Sequence, residues 1–267
     1  MASSKKKSPR LAPKSRAPNS GGGKQRADAV LAAQGLAESR TRAQAQIMAG
    51  NVYLGDKKIE KPGDMVPPDA PLTLRAPDHP WVSRGGLKLV QAIDQFDLSV
   101  PGAICIDVGA STGGFTDVLL THNAAKVYAV DVGKGQLAWK LRNDPRVVTL
   151  EATNARNLTD EDIPEQVDLV VCDASFIGLE KVLPAPMARA KPGAILVALI
   201  KPQFQAGREF VGKGGVVRDP AVHDAVCATV RQWLAQDMGW RVIGITESPI
   251  TGPKGNKEFL IAAQAPT

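Results

Sequence analysis

The sequence predicts an α/β chain in two parts: a small α+β unit, then a larger domain on a seven-stranded, mostly parallel sheet. Three observations predict it. Beyond residue 84, apolar runs of strand length alternate with helical segments, the pattern of a parallel sheet covered on both faces. Before residue 75, two short helices precede a hairpin and a further strand. Between them, residues 75–83 carry two prolines and read as a linker.

Residues 1–24 come first and read as a disordered tail, rich in Lys, Ser, Pro and Gly. Residues 1–26 hold eight basic side chains and no acid, while the rest of the chain carries 25 bases against 27 acids. The net charge of +6 therefore resides in the tail, and any basic patch on the folded part must be local. The tail reads equally as a solubilising segment or a loose RNA anchor.

The small unit spans residues 25–74. A helix over 26–34 stops at Gly35; Ser39 caps a second helix that stops at Gly50. Ala43 and Ile47 share one face of it, Arg40 and Gln44 another. Val52-Tyr53-Leu54, a Gly55-Asp56 turn and Lys57-Lys58-Ile59 form a hairpin, and Leu72-Thr73-Leu74 a further strand.

In the large domain, residues 84–267, strands are expected at Ile104–Val108, Val127–Val130, Val147–Leu150, Val167–Val171, Ile195–Ile200, Arg241–Thr246 and Glu258–Ala262. Helices are expected near Gly114–His122, Gln136–Asn143, Ile177–Arg189 and His223–Met238. The glycine- and charge-rich stretch between Gln205 and Asp219 reads as a loop over the active site that meets RNA, or as an ordinary surface loop.

Ligands of open α/β sheets bind at the carboxyl ends of the strands. The first strand there runs into Asp107, Gly109, Ser111, Gly113, Gly114 and Phe115, a glycine-rich turn that lets a ligand approach the backbone. A dinucleotide fold wants glycine where Ser111 stands, and the Asp107 charge would oppose a phosphate. S-adenosylmethionine carries an ammonium and a sulfonium instead, which suit an acidic strand end. The second strand ends in Asp131, placed to accept hydrogen bonds from both ribose hydroxyls. The third ends near Asn154, the candidate for the adenine edge.

The fourth strand ends in Cys172-Asp173 and the fifth in Lys201, a charge directly after a buried apolar run. Lys88 and Glu258 are two further groups able to join them. The three cysteines form no CxxC pair, and the three histidines show no metal-ligand spacing, so no metal is expected. No apolar run approaches membrane-spanning length and no secretory signal is read, so the expected compartment is the cytoplasm.

Two resemblances sharpen this reading. Residues 25–74, with Gly35-Leu36, Ser39-Arg40, Gly50-Asn51-Val52 and Lys61-Pro62-Gly63-Asp64, resemble the S4 RNA-binding domain. The large domain is similar to the FtsJ-type ribose 2′-O-methyltransferases, a Rossmann-like class I S-adenosylmethionine-dependent fold. Their Lys-Asp-Lys-Glu tetrad matches Lys88, Asp173, Lys201 and Glu258. The combination, with the motifs SRGGLKL, DVGASTGGFTD, CDASFI, IKPQF and GNKEF, closely resembles the TlyA (hemolysin A) family over residues 25–263.

The resemblance implies S-adenosylmethionine-dependent 2′-O-methylation of cytidine in ribosomal RNA, of the small subunit and also of the large, with rRNA or a ribosomal subunit as partner. It implies Lys201 as the base, set by the other three, with Asp173 also facing the cofactor. It implies Arg40, Arg42, Lys57 and Lys58 as carriers of RNA contacts, and Arg84 beside the Lys88 motif is assigned to RNA as well. Two other classes compete: a pore-forming haemolysin, for which the sequence offers no membrane segment, barrel alternation or secretion signal, and a non-catalytic RNA binder, in which the tetrad would be expected to decay.

Overall fold

The computed structural model describes residues 23–48, 50–75 and 79–267. Most of the basic tail thus lies outside the described residues. The chain divides into two compact units, Met1–Pro77 and Asp78–Thr267.

The small unit is built from β1 (Gln25–Arg26), α1 (Ala27–Ala33), α2 (Arg40–Met48), β2 (Val52–Leu54), β3 (Lys57–Lys58), β4 (Met65–Val66) and β5 (Leu72–Leu74). Ser39 caps α2 through its hydroxyl, which accepts the Arg42 N–H at 3.2 Å. The expected hairpin pairs Tyr53 with Lys58, and β5 pairs with β2 on its other side. The short β1–β4 pairing was not expected: strands of two residues leave no alternation to read. Val30, Leu31, Ala43, Ile47, Val52 and Leu72 form the core.

The large unit runs α3 (Gly86–Gln95), β6 (Ile104–Val108), α4 (Gly114–Thr121), β7 (Lys126–Val130), α5 (Trp139–Arg142), β8 (Val147–Leu150), β9 (Val167–Cys172), α6 (Leu179–Val182), α7 (Pro184–Met187), β10 (Ala190–Ile200), α8 (Pro202–Gln205), α9 (Pro220–Gln232), β11 (Arg241–Glu247) and β12 (Phe259–Gln264). Its seven strands lie in the order β11-β12-β10-β9-β6-β7-β8. The five from β10 to β8 pair in parallel, and β12 runs antiparallel between β10 and β11.

Successive side chains enter opposite layers, as strand geometry demands. Ile106, Val108, Val170 and Cys172 pack on one face, and Cys105, Leu169, Val171 and Leu199 on the other. The order places β6 between β7 and β9, so connections leave β6 and β9 in opposite directions and open a crevice at their carboxyl ends.

Local differences from the sequence expectations have identifiable causes. The helix expected over 177–189 is two short helices, because Pro184 lacks the N–H a continuous helix needs. The helix expected from Gln136 begins only at Trp139, because the preceding loop is tied elsewhere. Helix α3, which carries Lys88, was not anticipated. Trp81 and Val82, read as linker, pack against the hydrophobic core of the large unit, and the Val82 N–H donates to Asp117 at 2.8 Å. Asp219 caps α9 and Pro220 occupies its first turn. No described helix is long and apolar enough to cross a membrane.

Candidate active site

Two adjoining cavities occupy the crevice, of about 320 and about 370 Å³. They share walls at Gly109, Ser111, Asp173 and Ser175. Gly109 follows β6 with φ of 81°, and a Cβ there would stand 3.0 Å from the backbone of Ala174, so only glycine lets the two strand ends approach. Gly113, at φ 96°, opens α4; a Cβ would collide with Leu137 and Leu141. It lines neither cavity, so its part in the turn is conformational, whereas Gly114, Phe115 and the unanticipated Thr112 do line the first.

The first cavity holds all four members of the expected tetrad in its wall. Lys88 Nζ lies 2.7 Å from Glu258 Oε2 and 3.2 Å from Asp173 Oδ2. Lys201 Nζ lies 2.6 Å from Asp173 Oδ1, and donates to the Asp173 carbonyl at 3.0 Å and to Ser175 Oγ at 2.8 Å. The result is an alternating chain of charges, Glu258–Lys88–Asp173–Lys201, with Asp173 bridging both ammonium groups. Lys88, Lys201 and Glu258 are buried. Burial in low dielectric is tolerable here because each charge faces an opposite one.

Asp107 is fully buried. Its Oδ2 accepts the N–H and the hydroxyl of Thr116, at 2.9 and 2.7 Å, and its Oδ1 is buried in the wall of the first cavity without a hydrogen-bond partner. Burial pushes this carboxyl up to about 7, against the pull of the two Thr116 bonds. An orphan acceptor at that depth fits a cationic ligand group.

The second cavity is bounded by Val130, Asp131, Thr153, Asn154 and Phe176. Asp131 accepts the N–H of Ser111 at 2.8 Å through Oδ2 and of Gly133 at 2.7 Å through Oδ1. These bonds fix the carboxylate and leave lone pairs for hydroxyls. Asn154 uses its carbonyl oxygen locally, accepting the N–H and the Nε–H of Arg156, both at 3.2 Å, which leaves its amide nitrogen for a ligand.

Several residues at the site escaped sequence reading. Ser175 stands two positions after Asp173 and touches Lys201. Phe176 is 88% exposed, holds φ at 66° and lies 4.9 Å, ring to ring, from Phe204. An exposed aromatic in a strained conformation at a cavity rim is a feature that only coordinates reveal.

Glu151 organises the loop before α5. It accepts the N–H groups of Gly135, Gln136 and Leu137 and pairs with Arg142 at 2.7 Å. The Arg142 bond comes first among the contacts that hold its carboxyl down at about 2. The loop between Gln205 and Asp219 is fastened at its base, where Asn256 accepts the Val217 N–H and donates to the Gly215 carbonyl.

Of the assigned RNA-facing bases, Arg84 is exposed at the lip of the first cavity. In the small unit Arg40, Arg42 and Lys57 are exposed and Lys58 is half-buried against Gly50. Cys172 lies buried in the core and lines neither cavity, its thiol pushed by burial to about 12. Among the described residues no cluster of three or more metal-ligating side chains is found.

Comparison with known proteins agrees with this architecture. Residues 81–265 match the FtsJ-like methyltransferase family and residues 25–71 the S4 domain. The chain is 50% identical over 238 residues to the 16S/23S rRNA (cytidine-2′-O)-methyltransferase TlyA of Mycobacterium tuberculosis, covering 88% of each chain. It is 40% identical to hemolysin A of Brachyspira hyodysenteriae, over 88% of this chain and 98% of that one. A solved Streptococcus thermophilus structure named for hemolysin superposes with a TM-score of 0.72 at 44% identity, covering 91% of this chain and 89% of that one. With its S4 domain, its methyltransferase sheet and this identity along most of its length, the chain belongs to the TlyA family of FtsJ-like methyltransferases.

Proposed function

We propose that the chain transfers a methyl group from S-adenosylmethionine to the 2′-hydroxyl of cytidine in ribosomal RNA. The observation that carries this reading is the unbroken chain of ion pairs Glu258–Lys88–Asp173–Lys201, set in the wall of one cavity and joined through Asp173 to the next. S-adenosylmethionine, when bound, supplies a methyl group on a sulfonium, an electrophile that needs no metal.

The residues present fit that cofactor. Asp107 Oδ1 is the orphan acceptor for its ammonium, Asp131 holds its ribose hydroxyls, and the Asn154 amide faces the adenine side. Gly109, Ser111, Gly114 and Phe115 line the bed between, and Gly113 shapes the turn. Lys201, once its ammonium has released a proton to solvent, takes the proton of the 2′-hydroxyl as the oxygen bonds the methyl carbon and the methyl–sulfur bond breaks, and Asp173 orients the amine that does so. Lys88 and Glu258 hold Asp173 in place. Arg84 at the cavity lip, and Arg40, Arg42, Lys57 and Lys58 on the small unit, meet RNA phosphates. A ribosomal RNA substrate supports the cytoplasm as the site of the reaction.

The product tests the reading. A capped 2′-oxygen cannot attack the adjoining phosphate, so the modified cytidine is expected to resist alkaline cleavage, with mass analysis placing the methyl on the ribose. Cys172→Ser is expected to retain activity, since a buried thiol pushed to about 12 offers no thiolate nucleophile. Alkaline cleavage at the modified position, or loss of activity in a folded Cys172→Ser, would sink it.

Asp107 supplies a pH dependence. Its carboxyl, raised to about 7 in the folded chain from an ordinary 3.8, keeps its proton between those values while the unfolded chain loses it. Its contribution to stability therefore falls as pH rises through that window. Cofactor binding runs the other way, because an ammonium at Oδ1 must displace the proton. Affinity for S-adenosylmethionine is expected to rise by up to about tenfold per pH unit between pH 5.5 and 7. Calorimetry in two buffers of different ionisation heat should register proton release, and Asp107→Asn should flatten the profile. A parent protein with pH-independent affinity would remove Asp107 from this role.

A further inference from the structure

Among the described residues of the small unit, Asp28 is the one buried charged group, at 0% exposure. Its Oδ1 accepts from Arg26 Nε at 3.0 Å. Its Oδ2 accepts from Arg26 Nη2 at 3.0 Å, Arg40 Nε at 3.1 Å and Gln44 Nε2 at 2.8 Å. Foremost among these contacts, the bonds from Arg26 hold the carboxyl well below the usual carboxylate range. One carboxylate thus fastens the start of α1 to two successive turns of α2.

The two guanidinium groups it grips are not themselves buried. The side chains of Arg26 and Arg40 are 46% and 56% exposed. Arg40 spends only Nε on Asp28, and its two terminal nitrogens carry no hydrogen bond among the described residues. Arg26 lies over Gly63, where a Cβ would stand 3.2 Å from Nη1. Two guanidinium charges against one carboxylate leave one positive charge unbalanced, and a phosphodiester carries one negative charge in a geometry that a guanidinium fork matches.

We propose that Asp28 is a positioning residue that holds Arg26 and Arg40 as a single preformed site for an RNA backbone phosphate. The proposal rests on the reading that this unit grips RNA. An unheld arginine loses rotamer freedom each time it closes on a phosphate; these two lose it on folding. Asp28 touches no ligand, and its effect reaches RNA through the arginines alone.

The full chain, binding unmodified in vitro transcribed ribosomal RNA over a series of salt concentrations, tests this. By charge alone, Asp28→Asn makes the patch more positive and tightens RNA binding. By positioning, it frees both arginines and weakens binding, by about tenfold. Thermal melting accompanies each variant, and binding is measured well below the melting temperature.

Arg40→Gln is expected to weaken binding about tenfold and to lower the slope of log affinity against log salt by about one. Arg26→Gln with Arg40→Gln, in which each glutamine amide can still donate to Asp28 and melting shows that the chain is folded, is expected to lose less than the product of the two single losses. This arm decides the matter even if Asp28→Asn melts. Unchanged or tighter binding by a folded Asp28→Asn, or fully multiplicative arginine losses, would overturn the clamp. Arginine variants that bind RNA as the parent does would instead overturn the RNA reading of this unit.

Discussion

Replacing Lys201 with methionine is expected to lower the rate of methyl transfer by roughly 10²–10⁴-fold, the range in which a positioned general base contributes. Affinity for S-adenosylmethionine is expected to change by less than twofold. The split follows from the contacts. Lys201 bonds to Asp173 and Ser175 and to none of the groups assigned to the cofactor's ammonium, ribose or adenine. Methionine fills most of the same buried volume without supplying an acceptor for the proton. Asp173 keeps Lys88 as a partner at 3.2 Å, so the substitution does not strand its charge. Single-turnover transfer to ribosomal RNA and calorimetric titration of the cofactor separate the two effects. A variant within tenfold of the parent rate would mean that the proton leaves by another route.

The strand ends were legible because a parallel sheet buried on both faces writes itself as apolar runs, and each run stops where the crevice begins. Asp107, Asp131, Asp173 and Lys201 were found in this way. Lys88 and Glu258 were harder to place: they are 170 residues apart, Lys88 on a helix that was not expected and Glu258 at the start of an expected strand, so they stood only as groups able to join the site until the resemblance matched them to the tetrad.

Long-range polar ties account for most of what was missed. Glu151 catches the Gln136 N–H 15 residues away and shortens a helix that periodicity had extended. Asp28 collects Arg40 and Gln44 from the next helix. The sequence shows that Arg40 and Gln44 share a helix face, yet nothing local tells which carboxylate that face meets. Phe176 reads as an ordinary aromatic until its positive φ and its exposure are seen together.

The second large effect is on stability. Lys88→Ala removes the ammonium that lies 2.7 Å from Glu258, whose side chain is 1% exposed. Breaking a buried pair in this way strands a charge and costs about 3–5 kcal/mol, and for a unit of this size each kcal/mol lowers the melting temperature by roughly 2–4 °C. A fall on the order of 10 °C is therefore expected from Lys88→Ala.

The ion pair is nonetheless not what the fold needs. Replacing both partners, as Lys88→Met with Glu258→Leu, removes the stranded charge and fills the space with apolar atoms. Such exchanges are often neutral or stabilising in buried pairs. The double variant is expected to recover most of the lost melting temperature while its methyl transfer stays at the level of the single variant, because Asp173 is then no longer held against Lys88. Stability restored without activity would assign this pair to catalysis and not to folding. A double variant that melts as low as Lys88→Ala, or one that regains transfer, would break that assignment.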